Sequence, residues 1–307
     1  MLLREVVELL APAQGDTIVD CTAGAGGHAL NFAQCVGPGG ALALIDLDPA
    51  SLATASAHIS ETLGERSPAI RTHRANFAAA PRLLAADGLA ANVVLADLGF
   101  SSAQMDDPVR GFSMRSNGPL DMRLDPDAPV AAAELVNTLS EQELATIFRE
   151  YGEEPAARAI ARKLVARRAQ APIETTTEFA DCVRSVVRRR RTGSRIDPAT
   201  RAFQALRIAV NDELGSLQAL LRAVERSAAH LASGGSSWLA PGAQVGVIAF
   251  HSLEDRAVKR SFQRLRSAGL AQVRTKKPVT PTAEEVARNP RSRSAKLRVV
   301  VIGNVGS

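Results

Sequence analysis

The sequence has few of the features that mark an exported or membrane-spanning protein. Its three cysteines, Cys21, Cys35 and Cys182, are an odd number without metal-site spacing, so we interpret them as reduced thiols of a cytosolic protein. No run approaches the roughly 20 apolar residues that a membrane-spanning helix needs. The N-terminal residues lack the basic-then-apolar order of a signal peptide, because Glu5 and Glu8 interrupt it. We therefore expect a cytoplasmic protein that contacts no membrane and holds no metal.

Aromatic side chains are also scarce. The 307 residues include one Trp, one Tyr and nine Phe, which leaves little surface on which nucleic-acid bases could stack. Any recognition of RNA would therefore depend on arginines and on shape.

Positive charge is concentrated in two parts of the chain. Residues 151–210 contain 13 Lys/Arg against 6 Asp/Glu, and residues 256–298 contain 13 against 2. Because phosphate contacts supply most non-specific affinity for nucleic acids, this distribution indicates a basic surface for a polyanion. Solvated arginines scattered over the surface would explain the charge equally well.

Short apolar runs alternate with helical segments over the first hundred residues, which is typical of a parallel sheet built from βαβ units. The pattern stops at a Gly-, Pro-, Ser- and Asp-rich stretch, 100–130, which predicts a long loop followed by helices. It resumes at residue 244. The sequence predicts seven strands, at 17–22, 41–47, 70–75, 92–97, 244–252, 271–275 and 297–303.

These elements predict an α/β fold with one doubly wound sheet and a helical insertion after the fourth strand. We place the sheet domain at 1–104 and 201–307 and the insertion, a candidate substrate-recognition domain, at 105–200. We also predict one long helix that begins at Asp197-Pro198, because an N-cap residue and a first-turn proline precede apolar residues spaced by three and four.

A glycine-rich turn follows the first predicted strand and leads into a helix at 27–36. It reads Asp20-Cys21-Thr22-Ala23-Gly24-Ala25-Gly26-Gly27-His28. Glycines in such a turn let the backbone approach a ligand and leave amides free to bind it. Asp46 ends the next predicted strand, where a carboxylate can accept the hydroxyls of a ribose.

Two cofactors fit this turn. Gly24-x-Gly26-x-x-Ala29 is close to the dinucleotide fingerprint and would indicate a nicotinamide-dependent dehydrogenase. Asp20 favours S-adenosylmethionine instead, because its charge would repel a pyrophosphate but can lie near the methionine ammonium. Asp97, at the end of the fourth predicted strand, can reach amino groups of the same cofactor. A tight turn with purely structural glycines is the third interpretation.

Several longer motifs occur in order along the chain. They are Asp97-Leu98-Gly99-Phe100-Ser101-Ser102-Ala103-Gln104, Arg110-Gly111-Phe112-Ser113, Pro119-Leu120-Asp121-Met122-Arg123, Tyr151-Gly152-Glu153-Glu154, Ala199-Thr200-Arg201-Ala202-Phe203, Phe250-His251-Ser252-Leu253-Glu254 and Asn289-Pro290-Arg291-Ser292-Arg293. Together they resemble the MraW/RsmH family of bacterial 16S rRNA cytosine-N(4) methyltransferases from end to end. Two departures are Cys21, where the family usually has glycine, and Ala29, where it has serine or another small residue. The family's usual His-x-Pro-Val-Leu opening is also absent.

The resemblance implies methyl transfer from S-adenosylmethionine to the 4-amino group of a cytidine in the decoding centre, the P site, of 16S rRNA. The implied fold is a Rossmann-like class I methyltransferase sheet, and the implied partner is the small ribosomal subunit. Monomer and homodimer both remain open. The family's cofactor contacts carry over to Gly26, Gly27, His28, Asp46, Phe77, Asp97 and Gln104.

The candidate catalytic residues are Asp97, Ser101, Ser102 and His251. By analogy with other amino-methyltransferases, backbone carbonyls and the hydroxyl of Ser101 or Ser102 would hold the target amine beside Asp97. His251 follows a strand at its carboxyl end and can orient the target or accept a proton through water. A structural, hydrogen-bonded histidine is an equal alternative.

Two arginine-rich segments are expected to contact RNA. They contain Arg188, Arg189, Arg190, Arg191, Arg291 and Arg293. A non-enzymatic RNA-binding protein that keeps a degenerate methyltransferase fold is the remaining alternative, and failure to bind any cofactor would favour it.

Overall fold

The computed structural model describes residues 1–114, 116–187 and 197–303. The chain divides into two compact units. The first combines Met1–Gly99 with Leu214–Ser307, and the second is Phe100–Glu213. The predicted insertion, 105–200, falls inside the second unit, which begins five residues earlier and ends thirteen residues later.

The first unit contains a seven-stranded sheet. Its strands are β1 (Thr17–Asp20), β2 (Ala41–Asp46), β3 (Ala69–Arg74), β4 (Ala91–Asp97), β5 (Leu239–Ala249), β6 (Ala271–Val273) and β7 (Lys296–Ile302). The spatial order is β3-β2-β1-β4-β5-β7-β6. β1 to β5 are parallel, whereas β7 runs antiparallel to β5 and β6. The predicted doubly wound, Rossmann-like fold is therefore confirmed.

Thirteen α-helices lie in the described ranges. They are α1 (Leu3–Leu10), α2 (Gly27–Val36), α3 (Pro49–Leu63), α4 (Ala80–Asp87), α5 (Ser102–Asp106), α6 (Ala132–Thr138), α7 (Glu141–Glu150), α8 (Ala157–Arg168), α9 (Thr176–Val187), α10 (Thr200–Asn211), α11 (Glu213–Ala232), α12 (Ser252–Ser267) and α13 (Ala283–Arg288). None of them has the length and apolar content needed to span a membrane.

Helices cover both faces of the sheet. Phe32 of α2 and Ile59 of α3 pack with Leu10 of α1 in one core. Leu84 of α4, Leu220 of α11 and Phe262 of α12 contribute to the core on the other face. Because both faces are covered, the inner strands β1, β2 and β4 are mainly apolar, as parallel strands usually are. The edge strand β3 is mostly exposed.

The second unit has its own core, built by α6 to α10. The rings of Phe148 and Phe203 both lie near Phe179, with centroids 6.2 and 5.2 Å from it. Gly152 lies close to α10, where a Cβ would come within 2.8 Å of the carbonyl oxygen of Arg201. The glycine of the Tyr151–Glu154 motif therefore permits close packing in this unit.

The predicted long helix after Asp197 is wrong in two respects. It is divided into α10 and α11 at Asp212, whose φ of 45° is left-handed. The apolar spacing continues through the break, so periodicity could not reveal it. The helix also starts at Thr200, because Asp197 accepts the Ala199 amide (2.8 Å) and pairs with Arg184 in a turn before it.

The predicted long loop, 100–130, also contains regular structure. α5 and a 3-10 helix, Pro108–Arg110, lie within it. Arg110 donates to the carbonyl oxygens of Arg123 and Leu124, each at 2.9 Å. These contacts order a segment whose composition predicts only turns.

Candidate cofactor site

Most predicted cofactor residues meet at one edge of the first unit. Asp20, Asp46 and Asp97 are the last residues of β1, β2 and β4, which are neighbours in the sheet. Because these strands are parallel, their carboxyl ends point to the same edge, where α/β sheets bind ligands.

The glycine turn between β1 and α2 is tied to both neighbouring strands. The Cys21 amide donates to the Leu95 carbonyl oxygen (2.8 Å), and the Ala23 amide donates to the Ile45 carbonyl oxygen (3.0 Å). These two bonds fix the start of the turn between β4 and β2. The turn is therefore a rigid support for whatever binds above it.

Gly26 is the position in the turn that most needs glycine. Its φ is 82°, and a Cβ on it would lie 2.9 Å from the Cα of Ala55. Its amide donates to the Ala23 carbonyl oxygen (2.8 Å), so the next amides, those of Gly27 and His28, are better placed to bind a ligand. Both amides belong to the first turn of α2, where N–H groups have no acceptor inside the helix. They are therefore free to donate to the carboxylate of a ligand.

Asp46 is held by backbone amides. Its Oδ2 accepts from Gly24 and its Oδ1 accepts from Asp48, both at 2.9 Å. Burial raises the pKa of Asp46 more than these amides lower it. Each carboxylate oxygen has a second lone pair, so Asp46 can also accept hydroxyl donors from a ribose.

Asp20, His28 and Asp97 form a mostly buried cluster of ionisable groups. Asp20 is 2% exposed, and burial raises its pKa to about 6, although the nearby His28 and the Thr22 amide act to lower it. Nε2 of His28 lies 3.5 Å from Oδ2 of Asp97, close enough for an ion pair when the imidazole is protonated but not aligned for a hydrogen bond.

Within the described ranges, several buried polar atoms of this cluster lack the hydrogen-bond partners that buried polar atoms normally have. Both ring nitrogens of His28 and Oδ1 of Asp97 are buried without a hydrogen-bond partner among the described residues. Unpaired buried polar atoms are costly, so a polar ligand is the expected partner. With Asp20 and Asp46 nearby, the site carries excess negative charge. It fits the ammonium and sulfonium of S-adenosylmethionine and would repel a pyrophosphate.

Phe77 follows β3, in a 3-10 helix that spans Phe77–Ala79, and is partly buried. Asn76 caps this short helix by accepting the Ala78 amide (2.9 Å). The Asn76 amide nitrogen also donates to Oγ of Ser216 on α11 (2.7 Å). These bonds fix the backbone that carries the Phe77 ring, which is suited to pack against an adenine face.

Comparison with known families matches residues 1–302 to the MraW methylase family. This chain belongs to the MraW methylase family. It is a methyltransferase that uses S-adenosylmethionine, which removes the dehydrogenase alternative.

Curated relatives match over nearly the whole chain. A protein named Ribosomal RNA small subunit methyltransferase H from Thermomicrobium roseum is 46% identical, covering 97% of this chain and 91% of the relative. Proteins of the same name from Crocosphaera subtropica and Gluconobacter oxydans are each 43% identical. The alignments cover 97% and 98% of this chain and 87% and 92% of those relatives, respectively.

His251 forms the N-terminal cap of α12 in this MraW family member. Its Nδ1 accepts the Glu254 amide at 3.4 Å, and Glu254 Oε1 lies 3.2 Å from its Nε2. Oε2 of Glu254 accepts the amides of Phe250 (2.8 Å) and His251 (3.3 Å). These contacts within the cap support the structural interpretation of the histidine. Its Nε2 makes no aligned hydrogen bond in the described part of the chain, so a role toward the substrate stays a prediction.

The candidate residues Ser101, Ser102 and Gln104 lie in the second unit, at the start of α5. Oγ of Ser101 accepts the Gln104 amide (3.2 Å), and Oε1 of Gln104 accepts the Ser101 amide (2.9 Å). The motif therefore builds a capping box, in addition to any contact with substrate. The side chain of Ser102 lies outside the part of the chain that the structure describes.

The structure describes two of the six predicted RNA-binding arginines. Arg291 and Arg293 are exposed on a 3-10 helix, Pro290–Ser294, that leads into β7. The first residue of β7, Lys296, pairs with Ala249 at the carboxyl end of β5, so both arginines lie toward the edge of the sheet that carries the cofactor residues. Arg188, Arg189, Arg190 and Arg191 lie outside the described residues.

Sequence reasoning missed two positioning residues. Oγ1 of Thr22 accepts the Asp97 amide at 2.7 Å and so joins the glycine turn to β4. Asn76 joins the backbone beside Phe77 to α11. An asparagine that precedes a short helix is a recognisable capping signal, whereas nothing in the sequence distinguishes Thr22.

Proposed function

We propose that this chain transfers the methyl group of S-adenosylmethionine to the exocyclic 4-amino group of a cytidine in the P-site decoding centre of 16S rRNA. The small ribosomal subunit would be its partner, in the cytoplasm. The observation that carries the proposal is the buried cluster of Asp20, His28 and Asp97 in a chain that matches small-subunit rRNA methyltransferases over nearly its whole length. The motif from Asp97 to Gln104 supports the amino group as the acceptor.

Each cofactor residue has a role that follows from its chemistry. The amides of Gly27 and His28 would bind the methionine carboxylate at the positive end of α2, and Gly26 would let it approach. Asp46 would accept the ribose hydroxyls and Phe77 would pack on the adenine. When bound, the cofactor supplies an electrophilic methyl group on a sulfonium. The remaining proposed cofactor contacts are those of Asp97 and Gln104.

The acceptor nitrogen needs help to react. The lone pair of the cytosine amino group is delocalised into the ring, so the nitrogen must pyramidalise before it attacks. Oδ1 of Asp97 has no hydrogen-bond partner among the described residues and can accept an amino hydrogen in the pyramidal geometry. Backbone carbonyls after Asp97, with the hydroxyl of Ser101 or Ser102, would hold the second hydrogen. Positioning of this kind supplies much of a rate enhancement.

RNA contacts are proposed for Arg291 and Arg293, and for Arg188, Arg189, Arg190 and Arg191. Arginine forms bidentate hydrogen bonds with phosphate. Because the pair at 291 and 293 lies toward the carboxyl edge of the parallel strands, it would contact phosphates close to the target nucleotide.

The proposal is tested with small subunits from cells that lack the gene. Purified protein, small subunits and isotopically labelled S-adenosylmethionine are incubated, and rRNA nucleosides are analysed by mass spectrometry. The expected product is one N(4)-methylated cytidine, absent when Asp97→Ala replaces the wild type. Label on a ring carbon or a ribose hydroxyl would contradict the amino acceptor. Absence of both cofactor binding and label would favour the non-enzymatic alternative.

A further inference from the structure

A continuous segment of the first unit is basic without any acidic residue. Residues 256–277 contain eight Lys/Arg and no Asp/Glu. They cover most of α12, the edge strand β6 and the residues that follow it. This segment is separate from the arginines at 188–191, 291 and 293.

α12 has one apolar face and one basic face. Val258, Phe262 and Leu265 are buried in the core between this helix and the sheet. Between and beside these apolar residues the helix carries four exposed cationic side chains, Lys259, Arg260, Arg264 and Arg266. The helix therefore presents cations to solvent along its length.

The neighbouring helix α11 extends this basic surface. Glu225 of α11 accepts a hydrogen bond from Arg264 of α12 at 2.6 Å, which joins the two helices. Arg222 and Arg226 of α11 are exposed on either side of Glu225 in the sequence. We call the following six residues the α11–α12 basic face: Arg222, Arg226, Lys259, Arg260, Arg264 and Arg266.

Few acidic side chains of α11 and α12 neutralise the cations of this face. Glu225 neutralises Arg264 alone, which leaves five cations. Asp255, at the start of α12, is paired with Arg298 (2.7 Å). Like charges held together on one surface repel each other, and a polyanion relieves that repulsion.

The chemistry of the face favours a polynucleotide over a membrane. A helix that binds a membrane surface presents large apolar side chains beside its cations. The apolar side of α12 is buried in the core, and the exposed large hydrophobic residues of the described chain, Leu3 and Val109, lie on other elements. Five of the six cations are arginines, which suit phosphate recognition.

We propose that the α11–α12 basic face docks on the phosphate backbone of small-subunit rRNA outside the target nucleotide. The inference rests on the proposed function, because it takes rRNA as the substrate. α12 starts directly after His251, at the edge of the sheet that carries the cofactor site. RNA bound along α12 would therefore extend away from that edge. Along the helix axis, Lys259 and Arg266 are about 10 Å apart.

The test compares two triple variants of the full chain. Lys259→Gln, Arg260→Gln and Arg266→Gln remove three cations of the face. The matched control, Arg66→Gln, Arg71→Gln and Arg82→Gln, removes three exposed cations near β3, the opposite edge strand of the sheet. Both variants change the net charge equally, so a general charge effect would appear in both.

Binding to purified 16S rRNA is measured over a range of salt concentrations. For the face variant, we expect the slope of log affinity against log salt to fall by roughly two to three units, as loss of three phosphate contacts requires. The KM for small subunits should rise while kcat and cofactor affinity stay unchanged. The control variant should behave as wild type.

Equal salt slopes for the face variant and wild type would overturn the inference, as would an equal loss in the control. Tight binding of phosphatidylglycerol vesicles that is lost in the face variant, with rRNA affinity unchanged, would assign the face to a membrane instead. The proposed function fails separately, if wild-type protein transfers no methyl group to rRNA.

Discussion

Nε2 of His28 lies 3.5 Å from Oδ2 of Asp97, so the second residue of α2 contacts the last residue of β4 across the glycine turn. These residues are far apart in the sequence, and the parallel pairing of β1 with β4 brings them together. In the described part of the chain, both ring nitrogens of His28 and Oδ1 of Asp97 are buried without a hydrogen-bond partner, so a polar ligand is their expected partner.

Replacing Asp46 with Ala is expected to weaken S-adenosylmethionine binding by about one to two powers of ten, because charge-assisted hydrogen bonds of roughly 1.5–3 kcal/mol are lost. Isothermal titration measures the change. Asp16→Ala, just before the other end of β1, is the matched control and should bind as wild type. Unchanged affinity in a folded Asp46→Ala protein would refute the ribose assignment.

Replacing Asp20 with Asn should stabilise the cofactor-free protein at neutral pH. Burial raises the pKa of Asp20 to about 6 from 3.8, so folding favours its protonated form. That stabilisation is fully present below about pH 4 and is lost as the pH rises through 6. Relative to the protonated form, ionised Asp20 then destabilises the fold by about 3 kcal/mol.

Denaturant unfolding at pH 5 and pH 7.5 checks this prediction. The stability gain of Asp20→Asn should be larger at the higher pH, and cofactor affinity should fall because negative charge is lost. A variant that is equally destabilised at both pH values, with unchanged cofactor affinity, would contradict both expectations.

Gly26→Ala and Gly27→Ala should differ in stability. A Cβ at Gly26 would lie 2.9 Å from the Cα of Ala55, and the φ of 82° is unfavourable for alanine. We expect a loss of about 1–3 kcal/mol in the free energy of unfolding. A Cβ at Gly27 meets nothing within 4 Å, so that variant should remain near wild type. Urea denaturation distinguishes them, and equal stabilities would contradict the close packing of α2 and α3.

Neutralising Arg291 and Arg293 together should lower rRNA affinity and reduce the salt slope by about one unit for each lost phosphate contact. Cofactor affinity should not change. The same measurement applies to a variant that neutralises Arg188, Arg189, Arg190 and Arg191. Unaltered affinity and slope in either variant would mean that its arginines are only solvated.

Much of the sheet can be predicted from the sequence. Buried parallel strands are short apolar runs, and the glycine turn predicts α2 with the bounds that it has, Gly27–Val36. Periodicity misses the break at Asp212, because α10 and α11 both continue the apolar spacing. A single left-handed residue interrupts the helix without changing the hydrophobic pattern.

The residues of the cofactor site can be predicted from the glycine turn, the strand-end carboxylates and the family resemblance. Their supporting contacts cannot. Thr22 and Asp97 are 75 positions apart, and Asn76 and Ser216 are 140 apart. Such bonds depend on strand order and helix placement, which local patterns do not encode.

The discontinuous first unit has a consequence for synthesis of the chain. β4 ends at Asp97, whereas its partner β5 begins at Leu239. At about 5–20 residues per second, roughly 7–30 s pass between their translation. During that interval the edge of β4 has no β5 with which to pair, and an unpaired edge can accept a foreign strand. The nascent chain must therefore avoid pairing of this edge with other strands until residues 239–249 have been translated and can pair with β4.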